Sequence, residues 1–218
     1  MTRVILAVLA LGLAAFLAVL IARSLRSDSP APSASTPSPA PACGPVILFG
    51  DSLAAGFGAP SGEGLAESLA SAVGIGIENA GRNGETSSSG LARIGSVASR
   101  GPSLVVIVLG GNDYLRGLSA SLMRDNLAQA VRALQGSGSS VLLLGLQEPG
   151  GGAYAAAYRD VARETGIVLV PDAFGEVFGT PDLMADPIHP NRAGYAVVAE
   201  RVAPVIRNAL GSRPCARP

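Results

Sequence analysis

The chain lacks or nearly lacks several residue types: its 218 residues include one histidine, two cysteines, no tryptophan and no lysine. All 16 basic residues are therefore arginines, and 16 acidic residues balance them. This balance leaves no positively charged field of the kind that binds nucleic acid, so that class of partner is excluded. Cys43 and Cys215 do not have the spacing of zinc ligands, which disfavours a zinc site.

Charged residues are also scarce, at 15%, whereas apolar residues make up 48% of the chain. This composition excludes an intrinsically disordered protein. The length predicts a single domain with room for a sizeable core.

The N-terminal quarter of the chain is predicted to lie outside this domain. Val4 to Ala22 is an unbroken run of 19 apolar or small residues, long enough to cross a bilayer as a helix. A cleaved signal peptide usually has a shorter apolar region followed closely by a small-residue cleavage site. Here Arg23 and Arg26 follow instead, so residues 1–26 are predicted to be a retained signal anchor, with a cleaved signal peptide as the alternative.

A linker is predicted between this segment and the domain. Ser27 to Ala42 contains five prolines and five serines among its 16 residues, and such a segment stays extended rather than folding. The folded domain is predicted to span residues 43–218. With the N-terminus inside the cell, the linker would hold this domain outside the membrane.

From Cys43 onward, short apolar runs alternate with helical patterns. The runs are bounded by Gly, Pro, Asn or Asp, as buried parallel strands are. This alternation predicts an α/β fold, a three-layer α/β/α sandwich around a five-stranded parallel sheet with right-handed connections. The predicted strands are Val46–Phe49, Ile75–Glu78, Leu104–Leu109, Val141–Leu146 and Ile167–Val170. The predicted helices are Leu65–Val73, Ser87–Ser99, Ser121–Gln135, Tyr154–Thr165 and Arg192–Leu210.

Ligands of such sheets bind beyond the carboxyl ends of the strands, so the loops found there are the candidate sites. The first loop, FGDSLAAGFG (residues 49–58), carries Ser52. Gly56, Gly58 and Gly62, with Glu78 about twenty residues later, loosely imitate a dinucleotide-binding fingerprint. Their spacing is wrong, however, and the cluster begins too far from the end of the strand.

Three further loops supply polar groups at the same edge. They are NAGRNGETSSSG (residues 79–90) with Gly84, LGGNDYLRG (residues 109–117) with Asn112, and DPIHPN (residues 186–191) with Asp186 and His189. Each group taken alone fits a turn or a helix cap. Taken together, they meet the needs of acyl transfer: a nucleophile, a base, a carboxylate that orients the base, and donors for an oxyanion.

Across roughly Pro45 to Leu210 the sequence resembles the SGNH hydrolases, also called GDSL-type esterases. Within them it is most similar to the bacterial branch of acyl-CoA thioesterase I, lysophospholipase L1 and arylesterases. Four blocks in the family's order carry the resemblance: Gly50-Asp51-Ser52-Leu53, Asn79-Ala80-Gly81 through Gly84-Glu85-Thr86-Ser87, Gly110-Gly111-Asn112-Asp113 with Leu115-Arg116-Gly117, and Asp186-Pro187-Ile188-His189-Pro190-Asn191.

The resemblance implies a flavodoxin-like fold and a role for each of five residues. Ser52 would be the nucleophile, His189 the general base and Asp186 the carboxylate that fixes the histidine tautomer. The Ser52 N–H, the Gly84 N–H and the Asn112 side-chain amide would form the oxyanion hole. No metal or cofactor is implied. The G-x-S-x-G motif of the α/β-hydrolases, which use a nucleophile elbow, does not occur in the chain.

These features predict a serine esterase that acts on carboxylic esters or thioesters through an acyl-enzyme. Tyr114 stands where related sequences often have a small residue, and the glycine-rich loop QEPGGGAY is short, so small or short-acyl substrates are favoured. One alternative is a carbohydrate or cell-wall O-acetyl esterase that uses the same five residues. Two alternatives of another class are a non-catalytic binding domain on a stalk and a nucleotide-binding module.

The two cysteines are predicted to form a disulfide. Cys43 precedes the first strand and Cys215 follows the last helix, and the ends of such a domain can lie close together. An exported domain is in an oxidising compartment, where unpaired surface thiols are a liability. The sequence thus predicts an enzyme of the cell envelope, membrane-anchored outside the cytoplasm, or secreted if the N-terminal segment is cleaved. It leaves the oligomeric state open.

Overall fold

The short apolar runs form one parallel sheet, as the sequence predicts. The computed structural model describes residues 44–146 and 152–211. The strands in these residues are β1 (Val46–Gly50), β2 (Ile77–Gly81), β3 (Leu104–Val108), β4 (Ser140–Leu144) and β5 (Val168–Val170). They lie in the order β2-β1-β3-β4-β5, and all neighbouring pairs are parallel. The order reverses between β1 and β3, which is where this class of fold binds its ligands.

Strand β2 lies further along the chain than predicted. The expected strand was Ile75–Glu78, whereas the observed one is Ile77–Gly81 and pairs with β1 along its whole length. It is an edge strand, and Glu78 and Asn79 within it are exposed. Because an edge strand need not be apolar, the apolar run marked only its beginning.

Seven helices and one 3-10 turn, Pro181–Leu183, accompany the sheet in the described residues. The five predicted helices are present, each within one residue of its expected ends. Two short helices that directly follow strands β1 and β3 were not predicted. The helices are α1 (Ser52–Ala55), α2 (Leu65–Val73), α3 (Ser87–Ala98), α4 (Gly111–Leu115), α5 (Ala120–Gly136), α6 (Ala153–Thr165) and α7 (Arg192–Leu210).

The sheet carries a hydrophobic core on each face, because alternate residues of a strand point to opposite sides. Leu48 of β1 and Val106 of β3 pack on the face covered by α1, α2 and α7. Ile47 and Val105 pack on the other face, against α3, α5 and α6. The arrangement is the predicted three-layer α/β/α sandwich.

Three predictions concern residues outside those that the structure describes. They are the N-terminal anchor with its linker, the Cys43–Cys215 disulfide and the loop at residues 147–151. Among the described residues, no helix is both long enough and apolar enough to span a membrane.

Candidate active site

The candidate site lies at the carboxyl edge of the sheet, where β1 and β3 run side by side. The Asp51 N–H donates to the Val108 carbonyl at 3.1 Å, so the turn after β1 is tied to the end of β3. Helix α1 begins at Ser52 and helix α4 at Gly111. The topology therefore brings Ser52 and Asn112 to one place, although they are far apart in sequence.

Ser52 is the first residue of α1, and Asp51 is the N-cap of that helix. The Asp51 carboxylate accepts a hydrogen bond from the Leu53 N–H at 3.0 Å. Asp51 is only 2% exposed, and burial raises its pKa from 3.8 to about 7, with smaller contributions from the nearby carboxylates of Glu85 and Asp113. The carboxyl group beside Ser52 thus sits in an environment that favours its neutral form.

Asp186 and His189 belong to one tight turn. One oxygen of Asp186 accepts the backbone N–H groups of Ile188 at 2.9 Å and His189 at 2.8 Å. The other oxygen lies 2.7 Å from His189 Nδ1. The hydrogen bond to the His189 side chain, supported by the two backbone bonds, lowers the pKa of Asp186. The carboxylate is therefore ionised and holds the Nδ1–H tautomer of the ring, which leaves Nε2 free to accept a proton.

The second nitrogen of the histidine faces the serine. His189 Nε2 lies 3.0 Å from Ser52 Oγ, which is within hydrogen-bonding distance for a nucleophile and its base. The Phe57 ring covers the imidazole with a centroid separation of 4.5 Å. The side chain of His189 is only 13% exposed, against 37% for Asp186.

Two backbone N–H groups of residues that line the cavity are without a hydrogen-bond partner among the described residues. Within the part of the chain that the structure describes, the N–H groups of Ser52 and Gly84 have no hydrogen-bond acceptor. Gly84 lies in a turn with φ of +74° and lines the cavity beside Ser52. Asn112 also lines this cavity, and its Nδ2 donates one hydrogen to the Glu85 carbonyl at 3.1 Å. An amide carries two N–H donors, so one remains for a ligand.

A buried network behind the site joins α4 to α3, and sequence reasoning missed it. The Asp113 carboxylate accepts the Ser87 N–H at 2.8 Å and the Ser87 hydroxyl at 2.6 Å. Asn126 donates to the same hydroxyl at 3.0 Å. Asp113 directly follows Asn112 in the resemblance block, but only the fold shows that its partner lies 26 residues away.

A second network supports the turn that contains Gly84. Arg93 forms an ion pair with the buried Glu85, with a separation of 2.6 Å between Nε and Oε1. Arg93 also donates to the Ala80 carbonyl at 2.8 Å and lies over the Phe49 ring. The charge of Glu85 is thus balanced inside the protein.

A mainly apolar cavity of about 460 Å³ opens at this edge, and Ser52, Gly84, Asn112 and His189 all line it. Tyr114, which sequence reasoning placed in the substrate pocket, is part of the wall and makes an edge-on contact with Tyr154 at 5.3 Å. Further wall residues were not predicted: some lie in the loops already quoted, but only the fold shows that their side chains face the cavity. They are Phe57, Leu115, Leu146, Tyr154, Tyr158, Phe178, Pro187 and Ile188.

Comparison with known proteins gives the family. Residues 48–197 match the GDSL-like lipase/acylhydrolase family. The chain belongs to this family. Its match begins within β1, just before the Ser52 turn, and ends in α7, so it includes all five candidate residues.

Two named relatives align with most of the chain. The chain is 34% identical to Esterase TesA of Pseudomonas aeruginosa over 76% of this chain and 89% of that protein. It is 30% identical to "Thioesterase 1/protease 1/lysophospholipase L1" of Escherichia coli K12, over 72% of this chain and 81% of the relative. These names and the family identify the chain as a serine ester hydrolase.

Solved structures agree in fold. The crystal structure of TesA aligns with a TM-score of 0.71 at 34% identity, covering 75% of this chain and 98% of that one. The esterase EstA from Pseudoalteromonas sp., solved with a monoethylphosphonate inhibitor, aligns with a TM-score of 0.70 at 26% identity, covering 76% and 97%.

No cluster of three or more metal-ligating side chains occurs in residues 44–146 and 152–211.

Proposed function

We propose that Ser52, His189 and Asp186 are the catalytic triad of this esterase. The observation that carries the proposal is the chain of contacts from Asp186 Oδ2 to His189 Nδ1 at 2.7 Å and from His189 Nε2 to Ser52 Oγ at 3.0 Å. His189 takes the hydroxyl proton as Ser52 attacks the ester carbonyl, and it returns that proton to the leaving alcohol or thiol. Water then hydrolyses the acyl-enzyme by the same route, with His189 again as base.

The oxyanion of each tetrahedral intermediate binds to three donors. These are the Ser52 N–H, the Gly84 N–H and the Nδ2–H of Asn112 that does not bind Glu85. Support comes from the two unused backbone N–H groups and from the fixed Asn112 amide. Donors that are already oriented stabilise developing charge without reorganising during the reaction, which is the main source of rate in such sites.

The preferred substrates are esters or thioesters with small or short acyl groups. The mainly apolar wall favours an acyl chain over a carbohydrate, so the O-acetyl glycan alternative receives no support from the cavity. The Tyr114 ring narrows the cavity, and its contact with Tyr154 holds the ring in place. In a series of p-nitrophenyl esters, kcat/KM is expected to peak at short acyl chains, and Tyr114→Ala should move the peak to longer ones. A peak that stays unchanged in Tyr114→Ala contradicts the assignment of this ring.

Replacing the nucleophile tests the triad. We expect Ser52→Ala to lose ester hydrolysis by a factor of at least about 10⁴, because the covalent step is removed. A fluorophosphonate probe should label wild-type protein at Ser52, as mass spectrometry of the labelled peptide would show. The exposed Ser61→Ala is the matched control and should keep full activity and labelling. Activity of folded Ser52→Ala within tenfold of wild type would refute the proposal.

The domain is proposed to lie outside the cytoplasm, anchored by residues 1–26 or released after their cleavage, with Cys43 and Cys215 in a disulfide. The apolar run, the proline-rich linker and the placement of the two cysteines in the sequence support this. On the chain-entropy model such a bridge contributes roughly 5 kcal/mol. Non-reducing peptide mapping of protein from its native envelope should recover the Cys43–Cys215 peptide pair, and two free thiols would count against this topology.

A further inference from the structure

The turn that carries Gly84 is held by a residue outside the proposed catalytic set. Arg116 caps the carboxyl end of α4, and its Nη2 donates to the Gly84 carbonyl at 2.8 Å. One helical turn earlier, Asn112 donates to the next carbonyl, that of Glu85. Residues four apart on a helix share a face, so the two side chains reach consecutive carbonyls of one turn.

This pair of bonds ties the turn that contains Gly84 to helix α4, which carries Asn112. Gly84 has no side chain to pack, and a Cβ built at this position would approach only the end of the Arg116 side chain, at 3.5 Å. The Glu85 N–H closes the turn on the Arg82 carbonyl at 3.3 Å. The Gly84 carbonyl itself is held by Arg116 alone among the hydrogen bonds of the described residues.

We propose that Arg116 is a positioning residue for the oxyanion hole: it holds Gly84 against α4, so that the Gly84 N–H stays at the correct distance from the Asn112 amide. The inference rests on the proposed function, since it assigns Arg116 to the same site. Arg116 acts through Gly84 and does not touch the reacting atoms. An oxyanion hole needs donors within about 2.7–3.1 Å of the oxyanion. If the turn moves away from this position, kcat falls, whereas KM changes less.

The test compares Arg116→Ala with Arg207→Ala. Arg207 is also exposed and donates to a single carbonyl, that of Ala72 at 2.7 Å, at the far end of α7. Each variant therefore loses one arginine and one hydrogen bond to a carbonyl, but only the first loss is at the site. We expect Arg116→Ala to lower kcat about tenfold with KM within about twofold, since Asn112 and Asp113 still hold the neighbouring residues. Arg207→Ala should match wild type.

Two further measurements separate positioning from general stability. Arg116→Lys keeps one donor and should recover part of the lost kcat. Guanidinium ion, added to Arg116→Ala at a concentration that leaves Arg207→Ala unaffected, should recover it as well. A kcat for Arg116→Ala equal to that of Arg207→Ala would refute the inference, as would a rise in KM at unchanged kcat, which would make Arg116 a substrate-binding residue. If Arg116→Ala does not fold, the kcat and KM of Arg116→Lys and Arg116→Gln are compared with those of Arg207→Ala instead.

Failure of this inference differs from failure of the proposed function. If Ser52→Ala stays active, the triad is wrong whatever the arginine variants do. If Ser52→Ala is inactive and Arg116→Ala behaves as Arg207→Ala, the triad stands and Arg116 has no part in it.

Discussion

At the scale of single residues, the side-chain amide of Asn112 has two N–H donors. One binds the Glu85 carbonyl, and we propose that the other binds the oxyanion. We expect Asn112→Ala to lower kcat by roughly 100-fold or more with a much smaller change in KM, because the donor acts on charge that develops after binding. Steady-state kinetics on a p-nitrophenyl ester gives both constants.

The control for this experiment is Asn208→Ala, an exposed asparagine near the end of α7, which should behave as wild type. If Asn112→Ala raised KM and kept kcat, Asn112 would bind the substrate rather than the oxyanion.

Five residues that the structure brings to the candidate site were named from the sequence, because each occupies a loop at a strand end and matches a family block; their roles stay a prediction. Asp113 and Arg116 occur in the same block, yet their contacts could not be predicted. Asp113 binds a serine 26 residues away and Arg116 binds a carbonyl 32 residues away. Nothing in the local spacing encodes such partners, since they depend on how α4 packs beside the turn before α3.

At the scale of elements, the turn that carries His189 packs against the loop after α1. A Cβ at Gly58 would lie 2.4 Å from the Pro190 carbonyl oxygen and 3.1 Å from His189 Cβ, and φ of Gly58 is +96°. Gly62 has a similar φ of +83° but nothing within 4 Å of its Cβ position. Substituting Gly58 and Gly62 in turn therefore separates the effect of backbone strain from the effect of displacing the turn that carries His189.

We expect Gly62→Ala to cost about 1 kcal/mol of unfolding free energy and leave kcat/KM unchanged. Gly58→Ala should cost roughly 1–3 kcal/mol more and lower kcat/KM by more than tenfold, because the Pro190 backbone must move and His189 moves with it. Urea unfolding and esterase assays on both variants check this. Equal effects of the two substitutions would show that the contact with Pro190 does not position His189.

The bounds of some helices and strands could be predicted from the sequence, and those of others could not. Both ends of α2 and α7 were predicted correctly because their apolar faces repeat over two or more turns. The predicted bounds of β2 were wrong because the strand contains two polar residues, Glu78 and Asn79. Helices α1 and α4 were missed because four or five residues are too few for a helical period. These two short helices nevertheless contain Ser52 and Asn112, so the elements that were hardest to predict hold two of the residues proposed for catalysis.

At the scale of the whole molecule, Asp51 makes folding stability depend on pH. Its pKa is about 7 in the folded protein against an ordinary value of 3.8, owing to burial and to the carboxylates of Glu85 and Asp113. A raised folded pKa means that the folded protein retains a proton that the unfolded chain has released. Its contribution to stability is complete below about pH 4 and is lost as the pH rises through 7.

Asp51→Asn removes this dependence and keeps the oxygen that accepts the Leu53 N–H. The stability of the variant relative to wild type should therefore increase by about 2–3 kcal/mol between pH 5 and pH 8. Urea unfolding at both pH values gives the difference, with the exposed Asp125→Asn as control. A difference that does not change with pH would mean that Asp51 is ionised in the folded protein throughout this range.

The distance in sequence between Ser52 and His189 has a consequence for the newly made chain. The two residues are 137 positions apart, and the chain contains no other histidine. A ribosome adds about 5–20 residues per second, so Ser52 exists for on the order of ten seconds before His189 is synthesised. If His189 is the base of Ser52, as we propose, every nascent or truncated chain that stops short of His189 has the serine without its base, and hydrolysis begins only when nearly all of the domain has been made.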